Sequence, residues 1–147
     1  MGTGAAALMF ALLDSNLFFS ALISPHGPPG QIYDAWLQDR FQVVTCQQQI
    51  DEICEASRNL KFRARFQPHE VGTMLNHLYG ATVWQGPLPR RYEASDPTDS
   101  YLLNLMEAAQ PEYAVTGDKR SGLLRLDTLG RTKILSATVF LTQVLHL

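Results

Sequence analysis

Leu8-Met9-Phe10-Ala11-Leu12-Leu13-Asp14-Ser15-Asn16 decides how the rest of the chain is read. An unbroken apolar run of this kind is the pattern of a strand buried on both faces, as the strands of a parallel sheet are. The run ends on an acid, and the carboxyl ends of strands in open α/β sheets are where ligands bind. Tyr113-Ala114-Val115-Thr116-Gly117-Asp118 has the same texture of short apolar strand and closing acid. Burying a lone charge is expensive, so an acid directly after a buried strand needs a partner.

Beyond these stretches, apolar runs and helical periodicities alternate along the chain. Strands are predicted at 8–13, 41–45, 81–84, 114–116 and 133–136. Helices are predicted at 17–23, 31–39, 47–57, 68–78, 97–109, 119–126 and 137–144. Asn16 can cap the first helix, and Ser24-Pro25-His26-Gly27-Pro28-Pro29-Gly30 is a turn rich in breakers. The alternation predicts a single-domain, three-layer α/β/α fold with a mostly parallel central sheet. Residues 8–147 are read as that domain and residues 1–7, dominated by Gly and Ala, as a flexible leader.

The chain has 147 residues, the size of one ordinary domain, and its 46% hydrophobic content excludes a disordered chain. A formal net charge of −2 gives no global basic signature for nucleic acid, so any such contact must come from local clusters. Charged residues are only 18%, which suggests that a partner covers extra surface. Leu102, Leu103, Leu105 and Met106 are the apolar helix positions expected to serve a homodimer, higher oligomer or bound partner, or else the core. Cys46 and Cys54 read as buried free thiols, in keeping with a reducing cytoplasm. The apolar stretch 8–23 lacks a basic start and is interrupted by Asp14 and Asn16, so neither a signal peptide nor a membrane helix is expected.

Glu52, on a mid-chain helix, and Asp99, in the first turn of a later one, join Asp14 and Asp118 as candidate site acids. Carboxylates brought close together repel, and a cation relieves the repulsion. Oxygen ligands without His or Cys favour Mg2+ or Mn2+ over zinc. Each acid also has a plainer reading. Asp96-Pro97-Thr98-Asp99 has the form of a helix cap, Glu52 beside Asp51 reads as a surface acid, and Asp14 can cap the helix after it. His26, His69, His77 and His146 lack ligand spacing and read as surface or packing residues.

At these residues the chain resembles the PIN-domain nuclease family, from about Leu8 to Val144. The likeness rests on an apolar strand ending in Asp14-Ser15-Asn16, a mid-chain Glu in Ile50-Asp51-Glu52-Ile53, and an acid opening a helix in Asp96-Pro97-Thr98-Asp99. Thr116-Gly117-Asp118 after a strand and a closing Phe140-Leu141 complete it. The turn Ser24-Pro25-His26-Gly27-Pro28 is similar to that of a branch regarded as toxins of toxin–antitoxin pairs. One departure is Asn104 and Met106, where small residues are usual.

The resemblance implies a PIN-like fold and a metal-dependent ribonuclease that hydrolyses RNA phosphodiester bonds, with an antitoxin protein as partner. It implies Asp14, Glu52, Asp99 and Asp118 as catalytic metal ligands for Mg2+ or Mn2+, with Ser15, Asn16, Asp96 and Thr116 in support. Such an ion polarises a phosphodiester and activates water. The alternative is a catalytically inactive PIN-fold interaction protein. Arg58, Lys61, Arg63 and Arg65 are candidate phosphate contacts, with Phe62 or Phe66 as a stacking face, or else a solvated amphipathic segment.

Overall fold

The computed structural model describes residues 9–59, 64–94, 97–117 and 122–147, without the side chains of 97 and 98. In chain order the elements are β1 Phe10–Leu13, α1 Ser15–Ile23, α2 Pro28–Leu37, β2 Gln42–Cys46, α3 Gln47–Ser57, α4 Pro68–Tyr79 and β3 Thr82–Trp84. They continue as α5 Pro97–Ala109, β4 Tyr113–Thr116, α6 Gly122–Leu126, β5 Thr128–Leu129, β6 Thr132–Ser136 and α7 Ala137–Val139. A π-helical turn, Phe140–Val144, extends α7, where a continuous helix was expected.

The strands form one six-stranded sheet in the order β3-β2-β1-β4-β6-β5. All pairings are parallel except β5 with β6. From β1 the chain builds outward through β2 and β3, then returns to the other side of β1 with β4. The gap between the carboxyl ends of β1 and β4 is therefore a topological switch point.

Side chains alternate across the sheet and build a core on each face. Ala11 and Leu13 pack on one side with Phe18 of α1, Ile32 of α2, Ile50 and Ile53 of α3, and Met74 of α4. Leu12 faces the other side, with Val44, Ala114, Ile134 and the α5 residues Leu102, Leu105 and Met106. Leu102, Leu103, Leu105 and Met106 are all buried in this second core, so they are not a surface for a partner. The turn before α2 closes tightly: a Cβ on Gly30 would overlap the Pro25 carbonyl, which only glycine avoids.

The strand Thr128–Leu129 was not expected from the sequence. It is a two-residue edge joined to β6 through Gly130, whose φ of +58° is open to glycine at little cost. At the amino end of the sheet, Glu112 is engaged structurally. It accepts from the Phe10 N–H at 3.1 Å and pairs with Arg131 at 2.8 Å.

Candidate active site

Asp14 stands at the switch point. Its backbone N–H donates to the Val115 carbonyl at 2.9 Å, continuing the β1–β4 ladder by one residue. Its carboxylate accepts from Thr116 Oγ1 at 3.1 Å and, at a longer 3.4 Å, from the Asn16 N–H. Asp14 is also the N-cap of α1, which begins at Ser15. Of the two residues able to cap the helix, Asp14 takes the position: α1 follows β1 without a linker, so the strand's closing acid occupies the cap and Asn16 lies in the first turn, exposed.

Burial pushes the Asp14 carboxyl above the ordinary carboxylate range. The Thr116 hydroxyl and the Asn16 and Ser15 amides pull it down, and the charge of Glu52 pushes it up again. Asp14 and Glu52 thus share one electrostatic neighbourhood.

Glu52 is held from α5. The Tyr101 hydroxyl lies 2.8 Å from Glu52 Oε1 and 3.1 Å from Ser15 Oγ. Burial raises the Tyr101 phenol well above its usual range, so it keeps its proton and donates to Glu52. Ser15 then donates to Tyr101 and accepts from Gln49 Nε2 at 3.3 Å. Gln49 Nε2 also donates to the Leu13 carbonyl at 2.7 Å, and Thr45 Oγ1 donates to Gln49 Oε1 at 2.6 Å. Thr45, Gln49, Ser15 and Tyr101 are all buried, and their polar atoms are satisfied within this chain of bonds. Sequence reading missed Thr45, Gln49 and Tyr101. The signals were a tyrosine in an otherwise apolar helix stretch, whose hydroxyl needs a partner, and a glutamine one turn before Glu52 on the same helix face.

Asp99 lies in the first turn of α5, half-buried, where a carboxylate also suits the helix dipole. Among the described residues, no three of His, Cys, Asp and Glu come close enough to hold a metal ion, so Asp99 does not complete a trio with Asp14 and Glu52. Asp96 and Asp118 lie outside the described residues. Arg58 and Arg65 are exposed, whereas Lys61, Phe62 and Arg63 lie outside the described residues. Phe66 is not a stacking face for a base: it is buried, with its ring stacked on Phe19 at 5.9 Å. Cys46 is buried and Cys54 half-buried, and both are free thiols.

Asn104 and Met106, which depart from the expected small residues, have structural roles. Met106 is core. Asn104 accepts from the Arg91 and Tyr92 N–H groups, each at 3.0 Å, and donates to the Tyr92 and Ser100 carbonyls at 3.1 and 2.9 Å. It clamps the segment before α5 against that helix.

Among the described residues, no helix is long and apolar enough to cross a membrane. A comparison with known families matches residues 11–120 to the PIN domain, a span running from β1 past β4. No curated protein and no solved structure matches the chain.

Proposed function

The chain belongs to the PIN domain family, whose members are generally nucleases, and on that premise we propose that it is a divalent-metal-dependent ribonuclease. The carrying observation is the pair Asp14 and Glu52 at the carboxyl end of the sheet, the first raised by burial and by the charge of the second. Two carboxylates in this relation suit a hard cation, whose charge would offset both burial and repulsion. Asp14 and Glu52 would hold it, with Asp99 and Asp118 contributing to the acidic surround. A divalent ion supplies Lewis-acid polarisation of a phosphodiester. Mg2+ or Mn2+ suits these oxygen donors.

The chain's own groups fix the donors. Thr116 and the Asn16 amide orient Asp14 from two sides, and Tyr101 orients Glu52. Ser15 ties both halves, since it follows Asp14 directly and bonds to Tyr101. Exposed Arg58 and Arg65, with Lys61 and Arg63, would meet RNA phosphates. Within this reading the protein acts as one domain over 8–147, in the cytoplasm, as the toxin of a toxin–antitoxin pair. The Ser24–Pro28 turn is the feature that supports the toxin role.

The test is cleavage of single-stranded RNA in Mg2+ or Mn2+ by the parent and by Asp14→Asn. The expected result is metal-dependent cleavage by the parent and a loss of about 100-fold or more in the variant. Equal rates would exclude catalysis through this site. Co-purification with the product of a neighbouring reading frame tests the toxin role.

A further inference from the structure

A cavity of about 620 Å³ opens between the end of β3, the start of α3, the 85–94 segment and α5. Its size falls within the ~300–1,000 Å³ of ordinary ligand pockets. Neither Asp14 nor Glu52 lines it, but Tyr101 does, and the Tyr101 hydroxyl holds Glu52 at 2.8 Å, so one side chain joins the cavity wall to the candidate active site. Its walls combine two kinds of chemistry. Half-buried Trp84, Leu88 and Tyr92 give flat or apolar surface. Gln47, Gln48 and Gln85 bring amides, which both donate and accept. Exposed Arg90 places a positive charge on the lining, and Glu93 an acceptor.

The wall is held in shape before any ligand arrives. Asn104 clamps Arg91 and Tyr92, the Ala94 N–H donates to Ser100 Oγ at 2.7 Å, and Arg91 pairs with Glu107 at 2.7 Å. Flat apolar surface beside amide donors and acceptors is what an unstacked nucleobase needs: faces to lie on and partners for its edge. Bases in a duplex are stacked and paired and cannot enter.

We propose that this cavity is a base-binding subsite, taking one unstacked base of a single-stranded RNA whose adjoining backbone reaches Asp14 and Glu52. The path to the carboxylates rests on the nuclease reading; base capture itself does not. Aromatic and apolar contact with a base contributes about tenfold or more in affinity.

The experiment is RNA binding in chelator, where no metal-dependent cleavage occurs, by anisotropy of a short labelled single strand with no room for a second register. Removing bases one position at a time should weaken binding about tenfold at one position and little elsewhere. Tyr92→Ala should weaken binding of the intact strand similarly and abolish the penalty at that position. The double variant Gln48→Ala/Arg90→Ala alters exposed side chains only, so its loss of affinity does not depend on Tyr92→Ala keeping its fold. A flat base-removal scan, or full affinity in the double variant, would overturn the subsite even if metal-dependent cleavage persists. Cavity-dependent binding without cleavage in Mg2+ or Mn2+ would support the subsite and count against the nuclease reading.

Discussion

The Tyr101 hydroxyl, 2.8 Å from Glu52 Oε1, joins two helices that pack on opposite faces of the sheet. Replacing Tyr101 with Phe keeps the buried ring and removes only this link. The variant should lose about 1–2 kcal/mol of stability, because Glu52 and Ser15 both lose a partner. Half-saturating metal for cleavage should rise as Glu52 loosens. Urea unfolding and a metal titration of the cleavage rate check both effects. An unchanged metal dependence would make Tyr101 a packing residue alone.

Asp14 makes metal-free stability depend on pH. Its carboxyl keeps its proton to higher pH in the folded chain than in the unfolded one. Between those two values the native state binds more protons, so stability is fully present below the window and falls as pH rises through it. Asp14→Asn removes this group, so its urea midpoint should fall less above about pH 4 and exceed the parent's at neutral pH in chelator. Parallel curves for the two proteins would contradict the burial of this charge.

Divalent metal should stabilise the parent by mass action. At a hundred times Kd the gain is about 2.7 kcal/mol, which for a domain of this size raises Tm by roughly 5–10 °C. Asp14→Asn should lose most of that shift. Differential scanning calorimetry in Mg2+, Mn2+ and chelator measures it.

Asn104→Ala removes four hydrogen bonds that fasten residues 91, 92 and 100. The cost should be roughly 2–3 kcal/mol, since the amides left behind are half-buried. Limited proteolysis should then cut within 85–94 before the rest of the domain unfolds. Cleavage sites spread evenly over the chain would show that Asn104 does not act locally.

The fold was legible because β1, β2 and β4 are apolar runs flanked by strongly periodic helices, and α3 has the predicted bounds 47–57. The hairpin at Gly130 was not, because two residues carry too little pattern to read as a strand. The cap of α1 was not decided by sequence, since Asp14 and Asn16 are equally good caps and only the missing linker after β1 separates them. In the site, Asp14 and Thr116 could be placed at strand ends from sequence. The Thr45–Gln49–Ser15–Tyr101 chain could not, because its members come from four elements and their convergence is a matter of packing.

Gln49 limits which length changes the chain can tolerate. Its amide grips a β1 carbonyl, a β2 hydroxyl and Ser15 of α1 at once, so α3 can neither roll nor slide without breaking those bonds. Glu52 follows three residues later on the same helix. One residue inserted between them would turn the carboxylate by about 100°, away from Tyr101. Exposed positions such as Asp51 and Glu55 can drift in identity during divergence, while the spacing from 49 to 52 cannot change by a single residue.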